Sequence, residues 1–131
     1  MKTKLCGLFF VGLLLRAVVV FAADAPKSCE ADAMCGPLVE RARASSNAGQ
    51  LEEALRSYQA AYALVLDPQL LFNVGRVQHK LGRLQEAIDS YQRFLDSNST
   101  DAALRERTAE FLARAKEQLP PAVDTVDKQP A

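Results

Sequence analysis

The chain has 131 residues, with 16 Lys and Arg against 16 Asp and Glu, one His and three Cys. That length suits one small domain, and a chain without a basic excess lacks the electrostatic footprint of a nucleic-acid binder. One histidine, no glycine-rich phosphate loop behind a strand and no nucleophile elbow leave no constellation for a metal, a cofactor or catalysis. The expectation is therefore a non-enzyme, with no cofactor, no nucleic acid and no small-molecule substrate.

Residues 1–22 read as a secretory signal. Lys2 and Lys4 precede an apolar stretch from Leu5 to Phe21, and Val20-Phe21-Ala22 offers tolerated residues at the cleavage positions. The alternative is an uncleaved membrane anchor, which Arg16 opposes, because a span needs about 20 apolar residues. Cleavage would remove Lys2, Lys4 and Arg16 and no acid, leaving thirteen bases against sixteen acids. The expected location is the periplasm or cell envelope, with a membrane contact only if the leader stays attached.

Residues 23–36 form a polar lead-in that carries Cys29 and Cys35. Once Cys6 leaves with the leader these two remain, and export permits a disulfide between them. Free or separately paired thiols, and a redox or metal site, stay open as alternatives. Against the last, Cys-x5-Cys is not the redox spacing and no His lies nearby.

Five helices follow, over about 37–47, 51–66, 68–81, 84–96 and 101–119. The first has a thin apolar stripe of Leu38, Val39, Ala42 and Ala44, and frays at Ser45, Ser46 and Asn47. Leu51, Ala54, Leu55, Tyr58, Ala61, Tyr62 and Val65 give the second an i, i+3, i+4, i+7 stripe. The third starts at Pro68, with Asp67 as its N-cap, and its stripe is Leu70, Leu71, Val74, Val77 and Leu81. Gly75 within it marks a close approach of a neighbour. The fourth carries Leu84, Ala87, Ile88, Tyr91, Phe94 and Leu95. The fifth buries Leu104, Thr108, Phe111, Leu112, Ala115 and Leu119 and turns charge outward, as the terminal helix of a stack must. Charged residues pair along helix faces, for example Glu52 with Arg56 and Glu86 with Arg83. Pro120-Pro121 ends the helical region at residue 119, and 120–131 is polar, without a stripe, and reads as a disordered tail.

One pattern organises these elements. GQLEEALRSYQ, from Gly49 to Gln59, returns as GRLQEAIDSYQ, from Gly82 to Gln92, with seven of eleven positions identical at an offset of 33 residues. Such a period means stacked helix–turn–helix units that share a core. Each glycine precedes the second helix of its unit, where a left-handed residue ends the first.

Leu71, Val74, Gly75, Gly82, Ala87, Tyr91 and Phe94 stand where the tetratricopeptide repeat wants its large, Leu, Gly, Gly, Ala, aromatic and small residues. Phe94 departs from the usual Ala. Gly49, Ala54, Tyr58 and Ala61 match in the first unit, whereas Arg41 and Ala42 depart from the family's Leu and Gly. The chain thus resembles that family from about Cys35 to Leu95, and more loosely to Leu119, and DPQLLFNVGRVQHKLGRLQEAIDSYQRFL is similar to short repeat proteins of bacterial envelopes. The resemblance implies an all-α fold: two antiparallel helix pairs plus a C-terminal capping helix, a right-handed α-solenoid fragment.

It also implies a protein or peptide partner on the concave face, which the first helix of each pair lines. The residues expected there are Arg43, Phe72, Asn73, Arg76, His79 and Lys80. Arg43 and Arg76 lie 33 residues apart and so side by side. Asn73 matches the position that holds a peptide backbone or carboxylate in peptide-binding members of the family. Guanidinium and amide groups suit carboxylates and carbonyls, and Phe72 offers an apolar contact. The competing reading makes Asn73 a brace between helices and the bases mere solubilising groups. Two and a half units are few for an array, so weak homo-oligomerisation through Leu70, Phe72, Tyr62 or Phe94, or a structural scaffold, is the rival expectation.

Overall fold

The structure, a computed structural model, describes residues 28–121. The expected leader, residues 23–27 of the lead-in and the tail from 122 onward lie outside the described residues. A single 3-10 turn, Cys29–Ala31, leads into α1 (Cys35–Asn47), α2 (Leu51–Val65), α3 (Pro68–Lys80), α4 (Leu84–Leu95) and α5 (Ala102–Gln118). Among the described residues there is no strand. The fold is all-α: two helix pairs, α1 with α2 and α3 with α4, and a terminal helix α5 on α4.

The start of α1 differs from the expectation of a helix at Pro37. Asp32 Oδ1 accepts from the Met34 and Cys35 backbone N–H groups, at 2.8 and 2.9 Å. These would otherwise be orphan donors, so the helix extends back to Cys35. Pro37 then sits within the first turn, where its missing N–H costs no intrahelical bond. Cys29 and Cys35 are bridged, which ties the 3-10 turn to the first residue of α1.

Both repeat glycines have the left-handed backbone that the sequence implies, with φ of 75° at Gly49 and 74° at Gly82. The next residue folds back three positions into each helix: Gln50 N–H donates to Ser45 O at 2.8 Å, and Arg83 N–H to Gln78 O at 2.9 Å. That closure satisfies carbonyls at the helix end and turns the chain directly into the second helix. α2 ends on a less suitable residue. Leu66 has φ 51° and donates to Tyr62 O at 2.8 Å, while its side chain is 65% exposed. A left-handed leucine carries a steric cost of about 1–2 kcal/mol. Asp67 then caps α3 through Oδ1, which accepts from Gln69 N–H at 2.9 Å.

Two apolar clusters share α3. Leu70, Val74 and Val77 pack with Val39, Ala42, Leu55, Tyr58 and Ala61 of α1 and α2. Phe72 packs the other way, with Ala87, Ile88 and Tyr91 of α4 and Leu112 and Ala115 of α5. Gly75 sets the α3–α4 distance: a β-carbon there would lie 2.5 Å from the Tyr91 ring. A buried polar link reinforces the same seam, because Ser90 Oγ donates to Gln78 Oε1 at 2.6 Å.

Surface charges pair differently from the expectation. Arg56 meets Glu53 at 2.6 Å, one residue nearer than Glu52, and Glu52 instead takes Arg83 of the next unit at 2.7 Å. Arg105 does not join the outer polar face. It donates to Leu95 O at 2.7 Å and Ser97 O at 3.2 Å, capping the C-terminus of α4. Three of the residues expected to meet a second copy are internal: Leu70 and Phe72 are 4% exposed and Phe94 is fully buried, whereas Tyr62 is half-buried, with the Arg93 guanidinium over its ring. The large apolar side chains that do face solvent are Met34, Leu64 and Leu66.

Gly75→Ala should destabilise the fold by about 1–3 kcal/mol, the usual cost of overpacking against a ring held on both sides, read as a lowered denaturation midpoint. Leu66→Asn should raise the midpoint by about 0.5–1 kcal/mol, because Asn tolerates the left-handed conformation. An unchanged or lower midpoint would show that the exposed leucine makes contacts that offset its backbone cost.

Candidate functional site

The first helices of the units, α1 and α3, line one side of the stack, and α5 continues that side as the first helix of a third, incomplete unit. Between them runs a groove of about 570 Å³. Arg43, Ser46 and Asn47 of α1 form one bank, and Leu104 and Arg107 of α5 form the other. Asn73, Arg76 and Lys80 of α3 and Tyr58 of α2 line it between these banks.

Three of the four bases of this groove differ from the rest. Arg41, Arg43, Arg56, Arg83 and Arg114 each meet a carboxylate, Arg93 donates to Tyr62 Oη, and Arg105 donates to backbone carbonyls. Among the described residues Arg76, Lys80, Arg107 and Lys116 have neither a carboxylate within 4 Å nor a hydrogen-bond acceptor, and the first three line the groove. The Arg76 guanidinium carbon lies 5.7 Å from the Phe72 ring centroid and 5.8 Å from that of Phe111. Those rings hold the guanidinium by cation–π attraction while leaving its N–H groups free for a ligand. Arg43 is more committed, since it donates to Glu40 Oε1 at 2.9 Å.

Tyr58 adds a phenol to the groove floor. Burial pushes its ionisation up, and the nearby Arg43 and Arg76 guanidiniums pull it part of the way back. It therefore presents a neutral hydroxyl beside two cations.

The structure brings together four of the six residues expected on the concave face: Arg43, Asn73, Arg76 and Lys80. Phe72 touches the groove but is 4% exposed, because it faces Tyr91 at 6.3 Å and Phe111 at 5.7 Å between ring centroids. It is core under the Arg76 guanidinium, not a free apolar contact. His79 lies away from the groove. Its Nε2–H donates to Gln118 Oε1 at 2.8 Å, its ring stands edge-on to Tyr91 and Phe111, and its Nδ1 is buried without a partner.

Arg107 and Tyr58 are not among the residues expected on the concave face, yet both line the groove. Arg107 stands 34 residues, one family repeat, after Asn73. The signal was present, and reading α5 as a third first helix would have found it. Tyr58 matched the pattern as a packing aromatic, and periodicity does not say that its hydroxyl end reaches the groove.

The Tyr91 hydroxyl lies beneath this site, buried without a hydrogen-bond partner. Its ionisation is raised from the ordinary 10.0, first by burial, with Arg76 and Arg114 opposing. Above that pH the unfolded chain loses a proton that the folded chain keeps. Stability is therefore flat below about pH 10 and falls as pH rises further. Tyr91→Phe should make the alkaline fall shallower, leaving the Tyr58 share, and should cost nothing near neutral pH because no hydrogen bond is lost. Denaturation midpoints at pH values from neutral to strongly alkaline check both.

In comparison with known proteins, the tetratricopeptide repeat family model matches residues 39–102, from within α1 to the first residue of α5. No curated protein matches the chain.

Proposed function

Residues 39–102 belong to the tetratricopeptide repeat family, whose repeats are protein–protein interaction modules, and from that premise we propose that this groove grips an acidic segment of a partner protein. The observation that carries the reading is the convergence of Arg76, Lys80 and Arg107, bases whose charge no described side chain answers. Guanidinium groups bind carboxylates by paired, charge-assisted hydrogen bonds, and the Asn73 amide suits the carbonyls and N–H groups of an extended chain. The role is binding rather than catalysis: the groove offers donors, a neutral phenol and, at its α5 rim, Asp101, whose Oδ1 is taken up in capping α5, a set that holds a ligand. Export through the N-terminal leader would place the module in the periplasm or cell envelope, and an uncleaved leader would tether it to the membrane.

A second reading, self-assembly into a scaffold, rests on the exposed Met34, Leu64 and Leu66. It predicts that the protein's size in solution rises with concentration and that polar substitution of Leu64 and Leu66 abolishes the rise.

The test of the groove uses a labelled hexaglutamate peptide as probe. Arg76→Gln with Arg107→Gln should weaken binding by about tenfold per guanidinium, that is about 1.4 kcal/mol each, and should flatten its salt dependence. Lys116→Gln removes an equally unpartnered base away from the groove and should leave binding unchanged. Equal weakening by Lys116→Gln would assign the peptide to general surface charge and remove the groove from the account.

A further inference from the structure

The groove does not end at Arg43. A second depression, of about 350 Å³, shares Arg43, Gln69 and Asn73 with it and continues toward the N-terminal ends of α1 and α3. Its far wall is the lead-in, through Ser28, Cys29 and Glu30. We propose that this lead-in is a disulfide-held strap that closes the concave groove at that end, confines an acidic ligand to the Arg76, Lys80 and Arg107 side, and uncovers further binding surface when the disulfide is opened. The proposal rests on the groove reading above and adds to it how far a ligand can extend.

Three attachments hold the strap. Cys29 is bridged to Cys35, the first residue of α1. The Cys29 N–H donates to Asp67 Oδ2 at 3.3 Å, the oxygen that Asp67 does not use to cap α3. Cys29 and Cys35 are themselves 8% and 0% exposed and pack in the cluster that holds Val39, Val65 and Leu70. Without the disulfide, Asp32 stays tied to the start of α1 through the Met34 and Cys35 N–H groups, and residues 28–31 before it keep the hydrogen bond to Asp67 and a single 3-10 turn, which is weak alone.

The strap separates two chemistries. On its inner side Val39 and Leu70 are apolar and 8% and 4% exposed. Glu30, Glu40 and Asp67 line this end with Arg43, which is paired with Glu40, so Glu30 and Asp67 leave it with an acidic excess that disfavours an acidic segment, while the far end attracts one. Release of the strap would move Glu30 away and expose Val39 and Leu70 in line with the cationic half. The ligand the opened groove takes is then longer and mixed, acidic at one end and apolar at the other. Opening requires a thiol reductant: two electrons and two protons convert the disulfide to two thiols, and the reductant becomes a disulfide.

Two variants keep the test clear of misfolding. Cys29→Ala leaves Cys35 buried, with its sulfur 3.7 Å from Ala61 O, where a free S–H can donate. Glu30→Ala keeps the disulfide and removes only the charge. The probes are labelled peptides with acidic residues followed by alternating leucine and glutamate, about six and about twelve residues long, extended spans of about 20 and 40 Å. For the parent, both lengths should bind equally. Cys29→Ala, and the parent treated with dithiothreitol, should bind the longer peptide several-fold more tightly than the shorter. Glu30→Ala should tighten both modestly. Equal binding of the two lengths by Cys29→Ala would overturn the strap.

Hydrogen exchange supplies a readout that needs no ligand. Reduction should speed exchange at Cys29 and at the first turn of α3 and leave α4 and α5 unchanged. Unchanged exchange at both places, or loss of protection throughout, would also overturn it. If the parent binds neither peptide, the groove reading fails and exchange alone decides whether the strap opens.

Discussion

The close packing of α3 against α4 is made possible by a missing atom. At Gly75 the Tyr91 ring occupies the space a β-carbon would need. This lets α3 and α4 approach closely enough for Tyr91 to be fully buried between them. There it meets Phe72 and Phe111, with ring centroids 6.3 and 6.0 Å away. Phe111 brings α5 against the stack, and α5 in turn brings Arg107 to the groove. The same rings set the position of the Arg76 guanidinium. A single glycine thus fixes both the packing of the second unit and the spacing of two of the three unanswered cations of the groove. The buried, unpartnered Tyr91 hydroxyl is the cost of that arrangement, a polar atom kept because its ring is needed where it stands.

The second constraint is electrostatic. Equal numbers of acids and bases conceal an uneven distribution. The outer helix faces answer their own charges at short range: Glu53 with Arg56, Glu52 with Arg83, Glu110 with Arg114. Such exposed pairs contribute little to stability, but they cancel charge locally and leave the field of the groove to stand out against a neutral background. Net charge is a poor guide to recognition when helix faces are self-neutralised in this way.

Much of the architecture could be read from the chain because it depends on local chemistry. The 33-residue echo, the left-handed glycines at 49 and 82, the Asp67 cap and the close approach at Gly75 are each signalled by the residues that make them. The misplacements arose where the answer depends on a neighbour. Pro37 suggested a start for α1 because the cap that moves it back comes from Asp32, outside the helix. Phe72 and His79 lie off the stripe that faces α2 and looked free, yet α5 covers them, and one helix wheel cannot show a second neighbour. Arg105 reads as one more solvated base, and only the turn of the chain at residues 95–101 brings it under the end of α4.

The recognisable repeat pattern runs out where α5 begins, but the cooperative unit does not. Thr108 and Ala115 of α5 have no exposed surface, and Leu112 is nearly as enclosed. A chain cut at the end of the pattern would strip one wall from the aromatic cluster and leave Phe72 and Tyr91 facing water. For anyone excising this domain, grafting it or fusing it to another protein, the boundary that respects the physics falls after Leu119, a full helix beyond the end of the family match at residue 102.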